Sequence, residues 1–148
     1  PMPPRDEQEY EQRRQQILDG ALEAFSAKGF DGASNKDIAQ AAQIASPGLI
    51  YHYFKDKIDL LHRVVEERMP VLRLLNEAEQ LQDQPPEEVL PEMALRILRA
   101  YEQGPAPALM RLVLGEAMRN PRLAKLVVDT GPGRGLRIMA RYLERQMD

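Results

Sequence analysis

Tyr51, His52, Lys55 and Lys57 lie within a run of seven residues, and together they offer a phenolic hydroxyl, an imidazole and two ammonium groups. Such a set binds phosphate oxygens and the polar edges of rings. It does not make or break bonds, since no nucleophile stands beside a base, and the chain has neither a glycine-rich phosphate loop nor a serine-centred elbow. His52 and His62 are the only histidines and lack the spacing of a metal-binding pair, and with no cysteine there is no thiolate ligand. No metal, no other cofactor and no enzyme activity are expected.

The neighbours of that run explain how it is presented. On a helix starting at Pro47, Ile50 and Phe54 are four apart and point into a core, while Pro47, Gly48, Leu49, Tyr51 and His52 turn towards solvent. Large apolar and aromatic groups left outside need a partner. Double-stranded DNA supplies one: Leu49 can meet thymine methyls, His52 can donate to a base edge or a phosphate, and Tyr51 can place its hydroxyl on a phosphate. Lys55 and Lys57 follow where backbone phosphates need neutralising, and the first turns of the flanking helices are expected to offer free N–H groups to the same anions.

Positioning these groups is a task for helices. The sequence is all-α, because β-branched and aromatic residues nowhere alternate with polar ones for more than a few positions. Glu7 to Lys28 carries the stripe Ile17, Leu18, Ala21, Leu22, Ala24 and Phe25 and stops at Gly29. Ser34 or Asn35 caps a short helix, Lys36 to Ala42, with Ile38, Ala39 and Ala42 inward. Ser46 is an N-cap with Pro47 at the first helical position, which predicts a third helix to about Tyr53. Asp56 caps a fourth, with Ile58, Leu61, Val64, Val65 and Met69 on its stripe, ended or kinked at Pro70 because proline costs a helix interior about 3 kcal/mol. Short helices joined by a tight turn form a helix-turn-helix.

Beyond Pro70 the pattern resumes from Leu72 to Leu81. Pro85-Pro86 with Glu87 and Glu88 opens a helix to about Glu102, with Leu90, Met93, Ala94, Ile97, Leu98 and Tyr101 on its apolar side, and Gly104-Pro105 ends it. Pro107 opens a sixth helix whose Leu109, Met110, Leu112, Val113, Leu114 and Met118 are apolar on most sides, so it is expected to be central. Asn120-Pro121 caps a seventh, Gly131-Pro132-Gly133 breaks it, and Leu136 to Met147 is the last. Its Leu136, Ile138, Met139, Tyr142 and Leu143 form a stripe with no evident cover.

Charge speaks against a generally basic surface. The net charge is −3, and residues 1–65 carry eight basic side chains against ten acids, so a positive field must be local to Lys36, Lys55 and Lys57. No apolar run approaches the length of about 20 residues that spans a bilayer, so no membrane association is expected. The acidic start does not read as a signal peptide, and the lack of cysteine fits a reducing compartment, which makes the cytoplasm the expected location.

The run Ala24-Phe25 with Gly29-Phe30, then Asp37-Ile38-Ala39, then Ser46 to Lys57 with Leu60-Leu61, resembles the DNA-binding domain of the TetR family of transcriptional regulators. The resemblance covers Gln15 to about Leu61, and Tyr-His-Tyr-Phe-Lys-x-Lys is its most diagnostic stretch. It implies a three-helix helix-turn-helix domain over residues 7–61 and a helical effector-binding and dimerisation domain over 62–148, the latter expected to be incomplete. It also implies a repressor that binds a near-palindromic operator as a homodimer and is released by a small-molecule effector of unknown identity. On this pattern Asn35 and Lys36 would touch phosphate or base, and Ser46, Pro47, Gly48, Leu49, Tyr51 and His52 would form the reading helix. Lys55 and Lys57 would hold phosphates, and Met93, Ile97, Tyr101, Met110, Leu114 and Met118 would line the effector cavity. Two departures stand out: Gln43 replaces the family's usual glycine, and the turn Gln43-Ile44-Ala45 is one residue longer than its common form. The rival reading is a helical protein-binding adaptor, which has no reason to lose its partner steeply as salt rises.

Overall fold

Among the residues described by the computed structural model, 5–102, 104, 106–130 and 132–148 without the side chains of 70–72 and 132, every regular element is a helix. The expected parts played by Leu72, Pro105 and Gly131 lie outside the described residues. The chain divides into two compact units between Val65 and Glu66, four residues beyond the expected boundary.

In the N-terminal unit α1 (Arg5–Lys28) crosses α2 (Asn35–Ala42) at Gly20. A Cβ built on Gly20 would lie 2.5 Å from the Ala42 backbone N, so the two backbones approach this closely only because glycine stands there. Ile17, Leu18, Ala21, Ala24 and Phe25 on α1 and Ile38, Ala39 and Ala42 on α2 are buried, as their spacing predicts. Gly29 ends α1 at φ +78°, a left-handed conformation that suits glycine at a helix C-terminus. Phe30, just past this turn, sets its ring 5.6 Å from that of Phe25. α3 (Lys57–Arg68) contributes Leu60, Leu61, Val64 and Val65 to the buried set.

In the C-terminal unit Pro70 occupies the first turn of α4 (Pro70–Glu79) and so both stops α3 and starts its successor. α5 (Pro86–Glu102) runs through Pro91, where one backbone hydrogen bond is missing, with Val89 and Met93 buried on either side. α6 (Ala106–Ala117) corrects an expectation. Only Ala106, Leu109, Val113 and Glu116 are buried, and Leu114 is 53 % exposed. The helix packs through the face of Leu109 and Val113, with Met110 and Leu112 half-buried, so it is not covered on most sides as a central helix would be. α7 (Pro121–Thr130) buries Leu123.

α8 (Pro132–Met147) begins four residues earlier than expected, with proline in its first turn. Its apolar stripe is divided. Ile138 and Tyr142 are buried, whereas Leu136, Met139, Leu143 and Met147 are exposed, so the expectation of a wholly uncovered stripe is corrected. Tyr142 packs with Val89 and Met93, against Leu74, Ala78, Leu81 and Leu90, and its hydroxyl donates to the Gln84 carbonyl at 2.7 Å. A polar ladder runs beside this cluster: Arg141 reaches Glu79 at 3.3 Å, and Arg145 pairs with Asp83. No described helix is long and apolar enough to cross a membrane.

Candidate nucleic-acid interface

Ser34 starts α2 with a reciprocal cap. Its Oγ accepts from the Asp37 N–H at 3.1 Å, and Asp37 Oδ2 accepts from the Ser34 N–H at 2.9 Å. This box fixes the first turn and leaves Asn35 and Lys36 exposed upon it. The Ser34 N–H, with the Lys28 ammonium 2.9 Å away, holds the Asp37 carboxyl at about 2, below its ordinary 3.8. That ion pair also ties the end of α1 to the start of α2.

After Ala42 the chain turns through Gln43 at φ 57° and ψ 40°, whose N–H returns to the carbonyls of Ala39 and Gln40. Gln43 is the only non-glycine residue with positive φ among the described ones. The site is one that glycine fills without strain, so the departure noted in the sequence is accommodated by bending glutamine into a glycine's conformation.

Ser46 then caps the next element, its Oγ accepting from the Gly48 N–H at 3.3 Å. The element is a 3₁₀ helix, Pro47–His52, not the longer helix expected to Tyr53. Six residues opening on Pro-Gly supply little α-helical propensity, and the Tyr53 N–H closes the tighter bond to the Ile50 carbonyl at 3.1 Å. Ile50 and Phe54 are buried, at 0 % and 4 % exposure, and anchor the element from within. Pro47, Gly48, Tyr51 and His52 are exposed as expected, while Leu49 is half-buried and so turns only partly to solvent.

Tyr51 reaches across to α2. Its hydroxyl donates to Asn35 Oδ1 at 2.7 Å. Burial raises the Tyr51 hydroxyl above its ordinary 10.0, the bond to Asn35 pulls it down, and the charge of Asp56 raises it again. With one lone pair of its carbonyl oxygen taken by Tyr51, Asn35 still has both amide hydrogens to donate to a ligand.

Lys55 is exposed, but Lys57 is half-buried, with its ammonium 4.8 Å from the centroid of the Phe30 ring. Asp56 accepts from the Asp59 N–H at 2.7 Å, and Asp59 in turn accepts from the Lys55 N–H at 2.9 Å. Ser34 and Asp56 thus each take one first-turn N–H of the flanking helices from within.

Sequence reasoning missed three side chains. Tyr10 stacks on Tyr53 with ring centroids 4.6 Å apart, and the Arg14 guanidinium lies 5.6 Å from the Phe54 ring centroid. Arg63 lies near Asp59, at 3.7 Å. Tyr10, Arg14 and Leu18 are spaced at i, i+4 and i+8 along α1, the helical signal that could have placed the first two beside the core stripe.

The residues expected to line an effector cavity are spread over α5 and α6. Met93 belongs to the cluster with Val89 and Tyr142. Ile97, Tyr101 and Met110 are half-buried, and burial raises the Tyr101 hydroxyl above its ordinary range. Leu114 and Met118 are 53 % and 90 % exposed and stand outside that cluster.

A capped α2, a left-handed turn and a short outward-facing helix anchored by Ile50 and Phe54 define a helix-turn-helix protein. Residues 17–64 match the family model of bacterial regulatory proteins of the tetR family, and residues 88–148 match that of the AefR-like transcriptional repressor C-terminal domain. The chain is 46 % identical over 59 residues to the HTH-type transcriptional regulator AcrR of Shigella flexneri, covering 40 % of this chain and 27 % of that protein. It is 30 % identical over 118 residues to the HTH-type transcriptional regulator UidR of Escherichia coli, covering 77 % of this chain and 56 % of that one. A crystal structure assigned to a TetR-family transcriptional regulator of Mesorhizobium loti superposes with a TM-score of 0.76 at 27 % identity, covering 92 % of this chain and 68 % of the other. The chain belongs to the TetR family. It spans between about a quarter and just over half of the length of these two curated relatives.

Proposed function

We propose that the chain is the DNA-binding and effector-sensing part of a TetR-type transcriptional repressor, working in the cytoplasm as a homodimer on a near-palindromic operator. The observation that carries this reading is the face formed by Asn35, Lys36, Tyr51 and His52, which is exposed although its aromatic ring would cover a core elsewhere. The match of the C-terminal residues to an AefR-like repressor domain supports repression over activation. Ser46, Pro47, Gly48, Leu49, Tyr51 and His52 would enter the major groove, with Asn35, Lys36, Lys55 and Lys57 on phosphates or base edges. A small-molecule effector would bind among Met93, Ile97, Tyr101 and Met110, the expected lining residues that are buried or half-buried.

Selection from a random duplex library, followed by titration of the enriched duplex at rising salt, tests the reading. The expected result is a near-palindromic sequence whose affinity drops about 10³- to 10⁵-fold between 50 and 200 mM salt, as for 6–10 neutralised phosphates. A protein that enriches nothing and binds duplex without salt dependence is instead the protein-binding adaptor.

A further inference from the structure

The N-terminal unit carries more acid than base, yet its cations are not evenly spread. Beside the exposed face of the 3₁₀ helix lies a hollow of about 430 Å³, bounded by Arg14 of α1, His52, Lys55, and Asp59 and Arg63 of α3, with Tyr51 at its edge. Three permanent cations face one carboxylate there. Asp59 accepts from the Lys55 N–H at 2.9 Å and lies 3.7 Å from Arg63, so the cations around the hollow outnumber it.

Arg14 is the least hydrated of these cations. Its side chain is only 17 % exposed, held against the Phe54 ring and 3.3 Å from Glu11 on its own helix. A guanidinium fixed in this way has given up much of its rotamer freedom before any ligand arrives, and its planar fork matches the oxygens of a phosphate. A larger hollow along the first turns of α1 offers no such chemistry, being flanked by Asp6, Glu7 and Glu11.

Resting on the DNA-binding reading above, we propose that the hollow seats one backbone phosphate of the duplex, with Arg14 and Arg63 as cations that join Lys55 and His52 around it. The seat supplies the local positive field that the composition lacks. It also sets the angle at which the 3₁₀ helix meets the groove, because Phe54, buried at the end of that helix, is the ring on which Arg14 lies. A phosphodiester of duplex DNA is the ligand, since the hollow borders Tyr51 of the proposed reading face.

The test is salt titration of the enriched duplex and of a random duplex with the wild-type chain, Arg63→Gln and Arg14→Gln, each checked by circular dichroism and melting. Arg63→Gln should weaken both duplexes by a similar factor, roughly tenfold at low salt, and lower the salt slope by about one. Arg14→Gln should do the same, and if it proves unstable Arg63→Gln alone decides. A series of single methylphosphonate substitutions in the enriched duplex should contain one position that weakens the wild type and leaves Arg63→Gln unmoved. Wild-type binding with unchanged slopes in a folded Arg63→Gln variant overturns the seat and spares the DNA reading. A wild-type chain that binds no duplex overturns both.

Discussion

The hydroxyl of Tyr51 and the amide of Asn35 are joined by a 2.7 Å hydrogen bond in which the tyrosine is the donor. The bond links the 3₁₀ helix to the first turn of α2 across sixteen residues of sequence. It also turns the Asn35 carbonyl towards Tyr51, and the two amide hydrogens are the donors that Asn35 can offer a duplex. Asn35→Asp keeps the acceptor for Tyr51 and exchanges those donors for a negative oxygen. Duplex binding should weaken about 10- to 100-fold, the worth of a charge-assisted hydrogen bond lost to repulsion, and more than in Asn35→Ala. Melting should barely move, because the residue is exposed. An aspartate variant that binds like the alanine variant would mean that the amide hydrogens make no contact.

Tyr51 and Phe54 are neighbours with opposite duties. Phe54 is 4 % exposed and Tyr51 37 %. Phe54→Ala should destabilise the N-terminal unit by about 3–5 kcal/mol, as truncation of a buried aromatic does. Tyr51→Ala should cost stability only about 1 kcal/mol while abolishing specific DNA binding. Thermal melts beside binding curves separate the two, and equal destabilisation by both would reverse the assignment of faces.

The capping box of α2 gives a pH dependence of known sign. The Asp37 carboxyl is held at about 2, chiefly by the Ser34 N–H and then by Lys28, against an ordinary 3.8. A carboxyl whose folded value is depressed contributes stability above its unfolded value and loses it as pH falls through the folded one. Wild-type chain and Asp37→Asn should therefore melt at a constant separation above pH 4 or so, and the gap should close as pH approaches 2. A gap that persists to the lowest pH would show that the carboxylate charge is not what stabilises the cap.

Local chemistry made much of this unit legible from sequence. Ser34, Ser46 and Gly29 act within one turn of their own position, and Ile50 with Phe54 announces an inward face by spacing alone. What stayed hidden depends on segments meeting in space. Arg14 and Arg63 are 49 residues apart in the chain and border one hollow, and no periodicity connects them. The division of α8 was hidden for the same reason, since only the packing of α4 and α5 decides that Tyr142 is covered and Leu143 is not.

Gln43 was visible as a departure but not as strain. A side chain in the left-handed region costs roughly 1–2 kcal/mol relative to the right-handed one, part of which glycine returns as entropy of the unfolded chain. Gln43→Gly should raise stability by about 0.5–1 kcal/mol without changing DNA affinity, because the turn keeps its shape. Chemical denaturation reads the first and duplex titration the second. Loss of stability in the glycine variant would mean that the Gln43 side chain earns its place by contacts that outweigh the backbone.

On α8, Leu136, Met139, Leu143 and Met147 recur at intervals of three, four and four residues and are 72 %, 42 %, 41 % and 82 % exposed. This is the spacing of a helix seam, and it lies apart from the buried pair Ile138 and Tyr142 that fastens α8 to its own unit. The proposed homodimer gives these side chains a second copy to meet. Placing Glu at both 139 and 143 should leave the fold intact, because neither residue is buried, and should shift sedimentation at low micromolar concentration towards the monomer. Specific DNA affinity should fall with it, since two linked recognition helices gain through effective concentration what one half-site lacks, while random-duplex binding per chain should change little. A wild-type chain that sediments as a monomer at that concentration and still binds its enriched duplex far more tightly than random duplex would remove the need for the seam.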